Sequence, residues 1–590
     1  MGALVAVYGS GSSDEEAVQR GIRAAPHRGD RSQILTLGSC TLGVSSTEAS
    51  SGWIAERGTI AVAFTGLLDN ADEIRAATGD DSPIDPASVV AAAYDRFGER
   101  AAPMLRGAFA VAVSDGRSIT AWRDQLGYRT LFHRASPGHG VVASEAKQVV
   151  AAAGITSQPD MEALTRVFFG SYGDDTPSCL DGVKRLPKST FLRVDAASAA
   201  TRLYWRPDAL LETARLTDDE IRERFDSLMT QAVGRMMRGP DAVSLSGGID
   251  SPAIAAYAAP VHLERYGTPL AGLSAVYPDQ PAVDESRYVR LVAESLGMSL
   301  HTYERHAGTL DDVRSWVERF DGPVPIFLWP DAVTHYQAAR DAGIGTLMNG
   351  AVAELVMDMR RFLVLHLLRS GRLGATVREL RLQRAKGVGP RGIVRQLASP
   401  FVPSAVWRAY LHRRPPKSGT HVPEWIDIRR ANEGSWARVP RTRDRWRANQ
   451  LGGFRGPGLS VEAHEVVQEV CGVHTRYPWA DVDLWEFFLS LPAEVKFPEQ
   501  VTKPLVRRLL RGRLPDEILD RRDKTVFNDS LLARADYEAL RRWLLDPPER
   551  IPGVDYDLLH DRIESGDMGV FEYIWAKDLA SVHAFLDLFR

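Results

Sequence analysis

A chain of 590 residues is longer than one hydrophobic core usually supports, so at least two domains are expected. Its 44% hydrophobic and 25% charged residues are typical of a globular protein and exclude a disordered or collagen-like one. The net charge of −4 gives no overall attraction to nucleic acid or a membrane surface, and no apolar run reaches membrane-spanning length. Three widely spaced cysteines are too few for a disulfide framework, which favours a cytoplasmic location.

Residues 1–206 have the pattern of a mixed, strand-rich domain. The apolar start of the chain predicts an opening β-strand, and short apolar runs at 59–67, 107–114 and 118–122 are separated by turn residues. Between them, residues 85–97 repeat apolar side chains at helical spacing. Strands therefore alternate with occasional helices in this part of the chain.

Residues 207–590 begin with a helix start, where Thr217 is the predicted N-cap and Glu220 lies at the third helical position. Predicted strands at 242–245, 272–276 and 344–348 then alternate with helices at 251–259 and 285–296. This alternation predicts a parallel α/β sheet. Beyond it the pattern is mostly helical, with long Leu- and Arg-rich segments such as 360–382 and 392–397.

The segment after the first of these strands is suited to binding pyrophosphate. Gly247 and Gly248 allow backbone N–H groups to approach an anion, the following helix adds partial positive charge, and Ser246 and Ser251 supply hydroxyl donors. Asp250 repels phosphate, so we expect it to bind the Mg²⁺ that bridges phosphates. The simpler alternative is an ordinary strand-to-helix turn with a helix cap.

This Ser-Gly-Gly-x-Asp-Ser segment resembles the phosphate loop of ATP pyrophosphatases, and further motifs resemble the asparagine synthetase family over nearly the whole chain. In the first domain these motifs are HRGD at 27–30, RGAFA at 106–110, RDQLGYRTL at 123–131 and ASEAK at 143–147. In the second they are RYPWAD at 476–481, KPLVRR at 503–508 and RRDKTVF at 521–527. Each motif is weak alone, but their shared order is specific.

The resemblance implies a fold and a set of roles. The fold is an αββα Ntn-hydrolase-like glutamine amidotransferase domain at 1–206, followed by a Rossmann-like ATP-pyrophosphatase domain with helical additions at 207–590. ATP and Mg²⁺ are the implied cofactors, and Lys503 is implied to act in catalysis with Asp250. Lys503 would stabilise charge as an amine attacks and AMP leaves. The residues implied to bind ATP are Leu245, Ser246, Gly247, Gly248, Asp250, Ser251 and Ser274.

The chain departs from this family at the glutaminase nucleophile. Glutamine-hydrolysing members expose a cysteine as their first mature residue, because a thiolate attacks the glutamine amide. This chain has Gly2 there, and Phe64-Thr65-Gly66 replaces the Asn-Gly pair that binds glutamine. The first domain is therefore expected to be a structural remnant, and the nitrogen must come from another amine.

A second departure concerns the Mg²⁺ site. The family motif G-x-G-x-D-E-L aligns with residues 349–355 so that Ala353 replaces its aspartate. Glu354 is then the expected second metal ligand beside Asp250, with Asp358 as an alternative, or metal binding is weakened.

The expected reaction is amide formation through an acyl-adenylate, with AMP and pyrophosphate as products. The Arg-rich stretch at 360–381 and the segment at 422–426 resemble lasso-peptide cyclases, which join a peptide's N-terminal amine to an Asp or Glu side chain. That resemblance implies a precursor peptide as substrate and a leader peptidase and leader-binding protein as partners. The alternatives are an asparagine synthetase or small-molecule ligase acting on a carboxylate, and a non-catalytic scaffold that binds nucleotide or peptide.

Overall fold

A computed structural model describes most of the chain. The described residues are 2–9, 14–47, 52–80, 85–170, 178–304, 310, 312–324, 331–357, 360–398, 401–402, 406, 422–431, 445–452, 458–499, 501–522, 525 and 531–590. Asp358, named above as an alternative metal ligand, and most of the motif at 521–527 lie outside them.

The amino-terminal unit contains two six-stranded antiparallel sheets. The first has the order β10-β8-β9-β1-β3-β2 and the second the order β12-β11-β7-β6-β5-β4. The strands are β1 Ala3–Tyr8, β2 Arg31–Leu37, β3 Cys40–Ser46, β4 Gly52–Arg57, β5 Ile60–Leu68, β6 Gly107–Ser114, β7 Ser118–Arg123, β8 Phe132–Ser136, β9 His139–Ala143, β10 Lys184–Arg185, β11 Thr190–Asp195 and β12 Ala199–Leu203.

The two sheets pack face to face and helices cover their outer faces. Small apolar side chains such as Ala6, Ala63 and Ala112 fill the space between the sheets. Helices α1 Asp14–Arg23 and α4 Ala146–Ala153 cover the first sheet, α2 Ala71–Thr78 and α3 Pro86–Phe97 cover the second, and α5 Met161–Phe168 follows. Because both faces of each sheet are covered, the predicted αββα arrangement is confirmed.

The carboxy-terminal unit is built on a five-stranded sheet. Its order is β15-β14-β13-β16-β17, and every pair in it is parallel. The strands are β13 Asp241–Ser244, β14 Ala271–Val276, β15 Ser299–Glu304, β16 Thr346–Met348 and β17 His474–Arg476. The predicted parallel α/β sheet is thus confirmed. The domain boundary after residue 206 stays a prediction.

Helices lie on both faces of this sheet and extend beyond it. They are α6 Asp218–Met236, α7 Asp250–Tyr266, α8 Ser286–Ser295, α9 Val313–Phe320, α10 Asp331–Asp341, α11 Ala353–Met357, α12 Leu363–Arg369, α13 Leu373–Ala385, α14 Pro390–Ala398, α15 Arg445–Gly452, α16 Gly458–Cys471, α17 Val482–Ser490, α18 Ala493–Lys496, α19 Pro504–Leu509, α20 Asp516–Asp520, α21 Tyr537–Leu544, α22 Tyr556–Ser565 and α23 Val570–Leu586. In the described part of the chain, none of the helices has the length and apolar character needed to cross a bilayer.

Two local predictions can be compared with these elements. The helix start at Thr217 is confirmed, because Thr217 and Glu220 form a reciprocal capping box. The continuous helix expected over 360–382 is wrong: the chain forms α12 and α13, separated at Gly371, whose φ is +70°. A left-handed glycine ends a helix in this way, and the Leu–Arg periodicity does not reveal it.

The two units meet through buried charges. Helix α16 turns three glutamates toward four arginines of the amino-terminal unit, and we call this group the interface charge cluster: Arg28, Arg123, Arg129, Arg185, Glu462, Glu465 and Glu469. Arg129 Nη1 lies 2.9 Å from Glu465 Oε1 and 2.7 Å from Glu469 Oε1. Spacings of three and four residues put these glutamates on one face of α16, which docks it against the first unit.

Candidate active site at the phosphate loop

The loop from Leu245 to Ile249 connects the end of β13 with the start of α7. Ser251 Oγ accepts a hydrogen bond from Ser246 N at 3.0 Å, and the hydroxyls of Ser246 and Ser251 are 3.1 Å apart. Gly248 N donates to Ser246 Oγ at 3.4 Å. These bonds hold the loop around the amino end of a 17-residue helix, where an anion is favoured.

Two glycines around this loop, Gly350 and Gly247, lie close to neighbouring segments. A Cβ on Gly350 would lie 2.7 Å from Ser251 N and 3.0 Å from the Asp250 carbonyl carbon, so β16 and its following turn pack directly on the start of α7. A Cβ on Gly247 would meet the ends of the Arg521 and Glu285 side chains, which can move aside. The loop is therefore enclosed by neighbouring segments that tolerate no added side chain without a shift.

Asp250 and Lys503, which are far apart in sequence, form an ion pair beneath the loop. Lys503 Nζ donates to Asp250 Oδ2, and Trp479 Nε1 donates to the Asp250 carbonyl oxygen at 2.9 Å. Lys503 is 8% exposed and has a left-handed backbone, with φ at +52°, just before α19. Such a conformation is uncommon for a lysine and directs this side chain at the loop. The structure thus brings together the two residues expected to act in catalysis.

Glu285, Arg521 and Thr525 form a clamp over the loop. Glu285 resembles an ordinary acid before a helix, yet its Oε2 accepts a hydrogen bond from Gly247 N at 2.9 Å. Arg521 Nη1 bonds both Gly247 O at 2.7 Å and Glu285 Oε1 at 3.0 Å, and Thr525 Oγ1 donates to Glu285 at 2.7 Å. The Glu285 carboxylate therefore accepts a hydrogen bond from a backbone N–H group of the loop that an anion would otherwise bind. The sequence signals for this clamp are the family-like motif that begins at Arg521 and the position of Glu285 before a helix, where an ordinary helix-start acid is the more common interpretation.

Leu245 and Ser274, the remaining residues expected at the nucleotide, lie in or beside the sheet. Leu245 is buried and its N–H donates to Leu273 O at 2.9 Å, which extends the β13–β14 pairing into the loop. Ser274 is buried in β14, and its hydroxyl donates to Ala275 O at 3.3 Å. Leu245 thus supports the loop through its backbone, and Ser274 lies on the neighbouring strand.

The backbone around Ala353 indicates a different motif alignment. Val352 has φ at +67°, a conformation typical of glycine, and the tightly packed Gly350 lies two residues earlier. If Gly350 and Val352 occupy the two glycine positions of G-x-G-x-D-E-L, the aspartate position falls on Glu354. Glu354 is exposed, whereas Ala353 is fully buried in the apolar core. The described residues contain no group of three or more potential metal ligands.

The cysteines provide no nucleophile near the start of the chain. Gly2 is buried, and its carbonyl accepts a hydrogen bond from Thr65 Oγ1 at 2.9 Å. Burial raises the pKa of Cys40 to about 11 and that of Cys179 to about 12, so both thiols stay protonated at neutral pH. Burial likewise raises the pKa of Cys471.

The αββα unit, the parallel sheet and the enclosed phosphate loop together define a two-domain α/β protein with a candidate nucleotide site. Residues 224–560 match the family model for asparagine synthase, and residues 1–205 match the glutamine amidotransferase domain. Because the first match covers more than half of the chain, the protein belongs to the asparagine synthase family. Its finer branch is not decided by these matches.

Individual relatives are more distant. The chain is 32% identical over 205 residues to a putative glutamine-hydrolysing asparagine synthetase of Mycobacterium tuberculosis, covering 32% of this chain and 31% of that protein. It is 27% identical over 264 residues to the glutamine-hydrolysing asparagine synthetase 3 of Bacillus subtilis, covering 41% and 42%. The matched region thus spans about a third of the first relative's length.

Among solved structures, the glutamine phosphoribosylpyrophosphate amidotransferase of Bacillus subtilis is 12% identical with a TM-score of 0.27, covering 59% of this chain and 91% of that one.

Proposed function

We propose that the protein is an ATP-dependent amide ligase that activates a carboxylate as an acyl-adenylate and releases pyrophosphate and AMP. The observation that carries this proposal is the Asp250–Lys503 pair beneath the phosphate loop. A cation fixed beside the amino end of a helix is suited to stabilising the negative charge that develops as pyrophosphate and then AMP leave. Family membership supports the same chemistry.

In this proposal the loop binds the pyrophosphate part of ATP. Ser246, Gly247, Gly248 and Ser251 would supply N–H and hydroxyl donors, and Glu285 would give up Gly247 N to a phosphate oxygen. Leu245 and Ser274 would line the nucleotide from the sheet.

Mg²⁺ fits the same site, because Mg²⁺ bound to nucleotide needs only one or two protein carboxylates. Asp250 would supply one, and Glu354 the second under the alignment based on Gly350 and Val352. The ion would neutralise phosphate charge.

For the finer function we propose a lasso-peptide macrolactam cyclase. The absence of the glutaminase cysteine requires an amine other than glutamine-derived ammonia, and a peptide's own N-terminus supplies one. Helices α12 to α14 expose apolar side chains, including Leu373 and Val394, among many arginines, which suits a peptide substrate. A precursor peptide would be the substrate, with a leader peptidase and a leader-binding protein as cytoplasmic partners.

A second candidate is an asparagine synthetase that uses free ammonia. The family match and both named relatives favour asparagine as the product, although both relatives are named as glutamine-hydrolysing. It shares the adenylation step and differs only in the carboxylate and the amine.

Pyrophosphate release by the purified chain with ATP and Mg²⁺ tests the proposal. One reaction contains a synthetic peptide with a free N-terminal amine and an internal Asp or Glu. The other contains aspartate and ammonium. Peptide-dependent pyrophosphate, AMP and a product lighter by one water support the cyclase, whereas asparagine supports the second candidate.

The matched variants are Asp250→Ala, which should abolish release, and the exposed Asp341→Ala, which should not. Release of ADP only, or of nothing, in both reactions contradicts the ligase. If Asp250→Ala leaves the biological output intact, the non-catalytic scaffold is favoured.

A further inference from the structure

A hydrogen-bonded chain of three side chains lies at the carboxyl edge of the parallel sheet, next to the phosphate loop. His335, near the start of α10, has its Nε2 3.1 Å from Ser244 Oγ and its Nδ1 2.8 Å from Tyr303 OH. Ser244 is the last residue of β13 and Tyr303 is the fifth of β15. All three side chains are partly buried. A single imidazole thus joins two strands of the sheet.

The three hydrogen-bonded side chains lie at the edge of the sheet where the substrate's reacting atoms are expected. Ligands of open parallel sheets bind outside the carboxyl ends of the strands. Ser244 precedes the loop directly and is two residues from Ser246, so at about 3.3 Å per residue the two lie within roughly 7 Å of each other. An acyl group attached to the α-phosphate would extend from the loop across this edge. Ser244 and His335 are therefore placed beside the carbonyl that an amine must attack.

His335 is held firmly where it is. The next residue, Tyr336, is fully buried, and its hydroxyl accepts a hydrogen bond from Thr475 Oγ1 at 2.7 Å and lies 2.8 Å from His464 Nδ1. These bonds fix α10 against β17 and α16. Since Tyr303 engages Nδ1 of the imidazole, its ring orientation is fixed as well. Such support from surrounding groups is what a proton-transferring side chain requires.

The proposed reaction needs a proton acceptor. An amine that does not come from glutamine hydrolysis is mostly protonated at neutral pH, and it must lose a proton to attack and another before the amide is complete. Histidine is the side chain that exchanges protons most readily near neutral pH. Neither Asp250 nor Lys503 is free for this role, because each is engaged by the other.

We propose that His335 is the proton acceptor for the attacking amine, acting through the hydroxyl of Ser244; this inference rests on the proposed ligase function. The amine nitrogen forms the C–N bond to the acyl carbon, and one N–H proton passes to Ser244 Oγ while the Ser244 hydroxyl proton passes to His335 Nε2. The C–O bond to phosphate then breaks, and AMP leaves with the electron pair. Tyr303 is a positioning residue that holds Nδ1.

The test separates the two half-reactions in His335→Gln, using the full chain and the substrate pair that supports pyrophosphate release in the unaltered protein. Hydroxylamine is the probe nucleophile, because its nitrogen is already unprotonated at neutral pH. We expect unchanged pyrophosphate release in the first turnover and unchanged hydroxamate formation, but amide formation with the natural amine about 10²-fold slower or more. That loss should shrink as pH rises and deprotonates the amine.

Two further variants complete the design. His301→Gln removes an exposed histidine of β15, the strand that carries Tyr303, and should behave as the unaltered protein. Tyr303→Phe should slow the same amide step by a smaller factor. Equal losses with hydroxylamine and the natural amine, or no loss with either, overturn the role of His335. Absence of pyrophosphate release in the unaltered protein overturns the proposed function itself, and with it this inference.

Discussion

The interface charge cluster and the Asp250–Lys503 pair both join distant parts of the chain through ion pairs, but they differ in burial. In the cluster the carboxylate of Glu469 is fully buried; burial alone would raise its pKa, yet Arg28 and Arg129 lower it. Asp250 pairs with Lys503 and keeps 27% of its side chain exposed at the loop. Buried charges shared among several partners are typical of a structural role, and a partly exposed pair beside the loop is what the proposed function expects of a chemical one.

The largest expected effect comes from breaking the buried cluster. Arg28→Met would leave Glu145, Glu465 and Glu469 buried with one fewer cation, and removing one partner of a buried pair costs about 3–5 kcal/mol. We expect a correspondingly lower midpoint in urea unfolding monitored by far-UV circular dichroism. The matched control is Arg287→Met, which breaks an exposed pair with Glu517. Equal midpoints for the two variants would contradict the structural role.

Lys503→Met breaks the second ion pair and should affect activity instead. Loss of one donor aimed at developing negative charge typically lowers a rate by about 10²–10³-fold. We expect this fall in the rate of pyrophosphate release, with an unfolding midpoint close to that of the unaltered protein. Lys386→Met, which removes an exposed lysine of the helical region, is the control. If Lys503→Met instead lowers stability as Arg28→Met does, the distinction between the two sites is wrong.

Gly350→Ala changes the loop's support without changing a charge. The added Cβ would lie 2.7 Å from Ser251 N, a backbone atom that cannot move without shifting the phosphate loop. Overpacking of this kind costs about 1–3 kcal/mol, and we expect most of that cost to appear as weaker ATP binding in calorimetry. Gly374→Ala, which meets open space in α13, should bind ATP normally. Equal ATP affinities for the two variants would show that the contact does not shape the loop.

The sequence predicted elements whose signals are local. The parallel strands, the capping box at Thr217 and the strand–loop–helix unit around Ser246 depend on neighbours within a few residues, and each is confirmed. The roles of Asp250 and Lys503 came from the family resemblance, and the structure places the two residues in contact. Because the two residues are 253 positions apart, no local sequence pattern predicts that contact.

Other features depend on geometry that the sequence does not encode locally. In the sequence, Glu285 is indistinguishable from an ordinary acid at the start of a helix. Its contacts with Gly247 and Arg521 arise only when the strands align in the folded protein. His335 belongs to a helix whose periodicity indicates nothing of its partners on β13 and β15. The alignment that puts Glu354 at the aspartate position of G-x-G-x-D-E-L rests on a backbone angle, the positive φ of Val352, which the sequence does not show. Long-range packing and backbone conformation therefore account for what was missed.

The smallest expected effect is on the pH dependence of stability. It comes from buried histidines that are uncharged in the folded protein, unlike the residues of the two ion-paired sites. His583 is fully buried, and burial, together with Arg590, lowers its pKa to about 3 from an ordinary value near 6.5. The unfolded chain therefore binds a proton that the folded chain does not, so His583 makes stability fall as pH drops below about 6.5. Between pH 6.5 and 5.5 the loss is about 1 kcal/mol, and well below pH 6.5 it approaches about 1.4 kcal/mol per pH unit.

His133, His464 and His474, each with a pKa lowered to about 4 by burial first of all, should add to this loss. His583→Gln should therefore reduce, but not abolish, the fall in unfolding free energy between pH 6.5 and 5.5, measured by urea denaturation at both values. The exposed His301→Gln keeps the full fall, because its imidazole meets water in both states. If His583→Gln keeps the same pH dependence, its imidazole takes up its proton in the folded protein, and the bond between His583 Nε2 and Tyr556 OH must break or reverse its donor.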